Sequence, residues 1–152
     1  MNKTPVNSPE VCIVEASAGA GKTYALAKRY LTLLFNTGLP KSELPLKTIL
    51  AITFTNKAAI EMKQRIFDLL KKLALDSFSN KTEQTELLSY LKIKKDVAKE
   101  KALYIMDYIL NNYSYFQVKT IDSFVNSLLT SCAFKLNLSP NFQIKDIYTD
   151  YL

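Results

Sequence analysis

The sequence predicts an α/β fold with a parallel sheet flanked by helices, and three observations carry that expectation. First, β-rich and helix-forming stretches alternate along the chain, as parallel sheets require. Second, residues 11–23 read VCIVEASAGAGKT: a short apolar run enters a loop of small residues, which ends in Gly21-Lys22-Thr23. Helix-forming residues Tyr24, Ala25, Leu26, Ala27, Lys28 and Arg29 follow at once. Strand, small-residue loop, Lys-Thr and helix together are the setting of a phosphate-binding P-loop. Third, residues 48–54, TILAITF, form another continuous apolar run rich in β-branched residues, the signature of a second buried strand.

The elements follow in order. Residues 1–10 carry two prolines and polar residues, and read as a flexible lead-in. Residues 11–15 are apolar up to Glu15, as expected of a buried parallel strand. A helix is predicted over about 22–35, stopped by Asn36, Gly38 and Pro40, with a loop over 41–45. After the strand at 48–54, residues 56–75 are a long amphipathic helix. Ala59, Met62, Ile66, Leu69, Leu70 and Leu73 keep the three-and-four spacing of one buried face. Lys57, Lys63, Arg65, Lys71 and Lys72 lie on the other.

Residues 76–82 are turn-like, 83–92 a short helix, and Asp96 is placed to cap a further helix to about 111. A strand is predicted near 117–120. The helix from about Ser123 carries Val125, Leu128, Leu129, Cys132 and Leu136 on one face. Pro140 ends that region, and residues 142–144 could begin another short strand. Three strands are few for a finished doubly wound sheet, and residues 146–152 bring no closing pattern. The expected organisation is therefore the front of a longer protein. Residues 11–75 hold the first two motifs, 76–116 a helical insert, and 117–152 a third motif with the start of an inserted subdomain.

Composition narrows the chemistry. The chain has 152 residues, 48% hydrophobic and 22% charged, as in a soluble globular domain. It has no apolar run near the roughly 20 residues that span a bilayer. No membrane partner is expected, and the reading is cytoplasmic. Without histidine, His-based catalysis and His metal sites are excluded. Cys12 and Cys132 are far apart, have no metal spacing, and are expected to be buried free thiols. A net charge of +6 suits a polyanionic partner such as nucleic acid, and equally a solvated basic surface.

Three stretches carry candidate chemistry. In the loop, backbone amides of Gly19, Ala20, Gly21, Lys22 and Thr23 can approach a triphosphate, aided by the positive end of the following helix. Lys22 would reach the β- and γ-phosphates and the Thr23 hydroxyl would ligate Mg²⁺. Ala16 stands where GxxxxGK[ST] has its first glycine, a place alanine tolerates at negative φ. The competing reading is a strand-to-helix turn with a surface lysine.

The second stretch, TFTNKAAIEMKQR at 53–65, places Phe54, Thr55 and Asn56 at the carboxyl end of a strand, where α/β sheets hold ligands. Phe54 could stack on an unpaired base, or simply fill the core. In the third, VKTIDSFVNSLL at 118–129, Thr120, Asp122 and Ser123 could meet a backbone phosphate. Alternatively, Asp122 or Ser123 could cap the helix.

Taken together, ASAGAGKT, TFTNKAAIEMKQR and TIDSF, in this order, resemble the UvrD/Rep-type superfamily 1 helicases, and LSPNFQIKD at 138–146 is similar to that family's text after the third motif. The likeness runs from about residue 11 to 147. ASAGAGKT followed by Tyr24, with the helical insert, is most similar to the RecB/AddA nuclease-helicase branch. The resemblance implies the first RecA-like domain of an ATP-dependent DNA helicase, a P-loop NTPase sheet still incomplete here.

By this resemblance, residues Ala16, Ser17, Ala18, Gly19, Ala20, Gly21, Lys22, Thr23 and Tyr24 would bind ATP, with Thr23 on Mg²⁺. Phe54, Thr55, Asn56, Thr120, Ser123 and Phe124 would contact single-stranded DNA. Asp122 stands where many relatives carry histidine, and an acidic side chain there suits a helix cap better than a phosphate contact. Further partners would be the remaining helicase domains and a second nuclease-helicase subunit. The sequence contains no DExx segment, so the 152 residues alone are expected to grip nucleotide without hydrolysing it. Two other functions fit the first motif: a nucleic-acid-binding module with a vestigial P-loop, and a small-molecule P-loop kinase. The kinase would need catalytic arginines, and Arg29 and Arg65 are the only two.

Overall fold

The apolar stripe of residues 56–75 dictates the architecture. Met62, Ile66, Leu69, Leu70, Leu73 and Ala74 recur at helical spacing, and burying them needs neighbours on more than one side. The computed structural model describes residues 11, 13–15, 17, 21–36 and 44–137. In it these residues form helix α2 (Asn56–Leu75), which packs against α1 (Lys22–Phe35) and α4 (Lys95–Asn111). Helix α3 (Lys81–Leu91) closes over α1. Strands β1 (Ala51–Thr53) and β2 (Val118–Thr120) form a two-stranded parallel sheet against α2, in the register Ala51↔Val118 and Thr53↔Thr120. Helix α5 (Ile121–Cys132) leaves directly from β2.

Phe116 ties the layers together. Its buried ring meets Tyr30 of α1 at 5.6 Å, Phe67 of α2 at 5.7 Å and Tyr113 at 6.0 Å between centroids, each edge to face. Such contacts add to the burial of the rings themselves. A second tie joins α4 to α1: the buried Lys101 ammonium donates to the Phe35 carbonyl at the end of α1. Burial lowers the Lys101 pKa, because the charged form loses water.

Helix ends follow local chemistry. Thr55 caps α2 by accepting from the Ala58 amide at 3.1 Å, and Asn80 caps α3 by accepting from Thr82 at 2.8 Å. At their other ends Asp76 and Lys92 adopt left-handed backbone, φ 54° and 53°, and the Ser77 and Ile93 amides turn back to Lys72 and Leu88 carbonyls. Neither residue is glycine, so these stops carry little sequence signal. Helix α3 begins at Lys81 rather than 83. The cap residue of α4 is Lys94, with Asp96 in the first turn rather than at the cap.

Several expectations are corrected. Val11, Ile13, Val14 and Glu15 form no strand, and Val11, Ile13 and Val14 are 79, 83 and 72% exposed. A buried parallel strand needs ladder partners and covered faces, and the described residues offer this run neither. The second strand spans 51–53 rather than 48–54, because Pro45–Lys47 forms a 3-10 turn that carries into Thr48. The predicted apolar face of α5 is not buried: Val125 and Leu128 are exposed, and Leu136 lies exposed in the following 3-10 turn. Cys132 is a free but exposed thiol, not a buried one. Lys72 pairs with Glu83 at 2.8 Å, and Lys63 lies over the Tyr113 ring, 5.0 Å from its centroid. Cys12 and the strand considered at 142–144 lie outside the described residues. No helix among the described residues is long and apolar enough to cross a membrane.

Two stability outcomes follow from this core. Ile66 is fully buried, whereas Leu128 is half exposed. Chemical denaturation should therefore show Ile66→Ala losing about 2–5 kcal/mol and Leu128→Ala changing by less than about 0.5 kcal/mol. The Tyr30 hydroxyl is buried without a hydrogen-bond partner among the described residues, and burial raises its pKa. Tyr30→Phe should keep the packing, remove the unsatisfied hydroxyl and raise stability by about 1 kcal/mol in the same measurement.

Candidate nucleotide and nucleic-acid surfaces

Two strand-to-helix junctions stand side by side. The parallel register sets Thr53 opposite Thr120, so β1 and β2 end level and α2 and α5 start from the same end of the sheet. Each junction is fixed by a threonine. Thr55 caps α2, and Thr120 caps α5 by accepting from the Ser123 amide at 3.2 Å. Thr53 links the two junctions: its hydroxyl donates to the Thr55 carbonyl at 3.1 Å and lies 3.5 Å from the Lys119 carbonyl.

Capping of α5 therefore falls to Thr120, not to Asp122 or Ser123. Asp122 occupies the first turn, where a negative charge favours the positive helix end. Thr120 is buried and its hydroxyl is occupied as the cap, so it positions the junction more than it presents itself. Phe54 is the opposite case. In the bend between β1 and α2 its ring is 84% exposed, which removes the reading of this side chain as core. Asn56 and Ser123 are exposed as well, and Phe124 is half-buried. A shallow cavity of about 290 Å³ lies between the junctions, lined by Asn56, Ile60, Lys63, Lys119, Thr120 and Ser123. The Lys119 ammonium reaches the Ser127 hydroxyl at 3.4 Å. In the sequence Lys119 carries no signal of its own, and Lys63 is legible only as one of the basic residues opposite the apolar face of α2. The i, i+4, i+7 spacing of Asn56, Ile60 and Lys63 was the available signal, since it sets them on one side of α2.

At the start of α1 the structure describes Ser17, Gly21, Lys22, Thr23 and Tyr24, while Ala16, Ala18, Gly19 and Ala20 lie outside the described residues. Gly21 is the cap residue, with φ 78° and nothing within 4 Å of where a Cβ would stand. The left-handed backbone, not crowding, is what calls for glycine there. Lys22 curls back so that its ammonium donates to the Ser17 carbonyl at 2.7 Å. Helix α1, like α4, starts with no side-chain cap among the described residues. A lysine and the positive end of a helix suit an anion with several oxygens. Tyr24, one residue on, is half-buried and holds the Lys28 ammonium 5.0 Å from its ring centroid. Lys28 also lies 4.9 Å from the Tyr90 ring, which links α1 to α3.

Known proteins place these features in a family. The UvrD/REP helicase N-terminal domain matches residues 2–150. The RecBCD enzyme subunit RecB of Buchnera aphidicola (subsp. Acyrthosiphon pisum, strain APS) is 32% identical over 138 residues, covering 89% of this chain and 11% of that protein. An ATP-dependent helicase/nuclease subunit of Clostridioides difficile (strain 630) is 31% identical over 134 residues, 88% of this chain and 8% of that protein. RecB of Haemophilus influenzae is 29% identical over 163 residues, 97% of this chain and 13% of that protein. The chain thus spans about a tenth of the length of these curated relatives. With its level strand ends, uncapped lysine-bearing helix and three motifs in sequence order, the chain belongs to the UvrD/REP helicase N-terminal domain family.

Proposed function

We propose that this chain supplies the nucleotide-gripping and part of the DNA-contacting surface of a RecB/AddA-like, ATP-dependent DNA helicase. On this reading residues 11–75 belong to its first RecA-like P-loop motor domain, 76–116 are a helical insert, and 117–152 hold the third motif and the start of an inserted subdomain. The observation that carries it is the pairing of the two junctions: one register holds Phe54, Asn56 and Ser123 at the same sheet end. An exposed aromatic ring at the strand end, with Lys63 and Lys119 in the cavity between the junctions, suits a single strand, which offers unpaired bases and phosphates together. Phe54 would stack on a base, with Thr55, Asn56, Thr120, Ser123 and Phe124 shaping or touching the path of the backbone.

ATP would be held by residues 16–24. Lys22 would exchange its Ser17 contact for phosphate oxygens, Gly21 would let the backbone come close, and the Thr23 hydroxyl would meet Mg²⁺. Bound ATP supplies the free energy for movement along DNA in the intact motor. Other motor domains of the same protein and a second nuclease-helicase subunit are the partners this reading implies. A kinase gains no support from the two arginines: Arg65 is tied to Glu61 at 2.8 Å on the surface of α2, and Arg29 is exposed on α1.

Two titrations on the same protein test this reading. Lys22→Ala should weaken binding of Mg-ATP about tenfold or more while leaving oligothymidylate binding unchanged. Phe54→Ala should do the reverse, weakening a fluorescent oligothymidylate by about five- to a hundredfold. Oligothymidylate binding without any Mg-ATP binding would favour a vestigial P-loop module, and indifference to both substitutions would overturn the assignment.

A further inference from the structure

The cavity between the junctions does not stop at Lys63. A second cavity, of about 330 Å³, shares Ile60 and Lys63 with it and continues along α2 past Gln64 and Phe67 to Tyr113. The two form one groove between α2 and the segment that leads into β2. From Asn56 to Phe67 it follows about 16 Å of helix. Its walls are the wrong kind for a core seam. Tyr113 is 51% exposed, Ile60 is exposed, and the Lys63 ammonium sits over the Tyr113 ring and 3.5 Å from its hydroxyl. The same 3-10 turn, Tyr113–Tyr115, carries a second aromatic-cation pair, with Lys47 at 4.4 Å from the Tyr115 centroid. Asp68 lies at the far end, where a negative charge limits how far a polyanion could run.

We propose that this groove is a second contact site for single-stranded DNA, in which Tyr113 stacks on a base while Lys63 neutralises the adjoining phosphate, continuing the path from Phe54 and Asn56. The proposal rests on the DNA reading given above. Lys119, Lys63 and the exposed Tyr113 ring line the groove, cations and a stacking face that suit a single strand, and an acidic peptide would leave the ring without a stacking partner. Phe116 fixes the platform from below, since its buried ring meets the edge of Tyr113. Lys63 is held over the rings in advance, so little side-chain freedom is lost when a phosphate arrives.

Length of the probe separates this site from the first. Fluorescent oligothymidylates of about four and about twelve nucleotides span the range a single binding surface covers. Tyr113→Ala should weaken the twelve-nucleotide probe by about five- to a hundredfold and leave the four-nucleotide probe unchanged. Tyr113→Phe should restore binding, and Tyr113→Leu, which keeps the apolar bulk on Phe116, should behave as the alanine variant does. Lys63→Gln should lower the salt dependence of the longer probe by about one phosphate. Equal losses for both lengths, or none for either, would overturn the proposal. Phe54→Ala reports on the underlying reading separately: loss at both lengths sustains it whatever Tyr113 does, and a protein that binds neither probe overturns both.

Discussion

Helix α2 must hide an apolar stripe running from Ala59 to Ala74, and one neighbour cannot cover it. The stripe takes α1 along one side, α4 along another, and the β1-β2 pair near its start. Each neighbour carries a candidate site segment or braces one. Helix α1 brings Gly21 and Lys22, the sheet brings both strand-to-helix junctions, and α4 clamps the end of α1 through Lys101. Burial is therefore also the positioning device. Fully buried residues such as Leu31, Met62, Ile66, Leu70 and Ile105 hold the polar ends of the elements where they are.

The sheet illustrates the same economy at small scale. Three residues per strand make few ladder bonds, and a two-stranded sheet has little stability of its own. What keeps β1 and β2 level is the helix beneath them and the threonines at their ends. Thr53 reaches across to the carbonyl before Thr120, while Thr55 and Thr120 each satisfy an amide of the helix that follows. A slip of register would break these contacts and turn Val118 out of the core. Phe54 and Ser123 then share a surface because their strands cannot slide.

Sequence periodicity made the helices legible and left the strands uncertain, for a physical reason. Helix α2 spans the predicted residues 56–75 because twenty residues of sustained spacing and a threonine cap admit one solution. The run Val11 to Val14 has a strand's composition, yet a strand is defined by its partners, and none stands beside it among the described residues. The α5 stripe keeps helical spacing, yet its Val125 and Leu128 stay exposed. At the candidate site, TIDSF and TFTN were readable as junctions, but their adjacency depends on register, which no local pattern encodes. The placement of Lys63 was hidden for another reason: its tyrosine partner stands fifty residues on in the sequence.

Val125, Leu128, Leu50 and Ile52 are exposed whereas Ile66 and Ile105 are fully buried, a gradient of burial along which local opening differs. That gradient makes amide hydrogen exchange the most direct test of the central claim, that level strand ends create one DNA surface distinct from the nucleotide loop. Adding oligothymidylate should slow exchange across residues 54–58 and 119–124 together, with residues 17–24 responding instead to Mg-ATP. Protection of only one junction by DNA, or protection confined to α3 and α4, would contradict it.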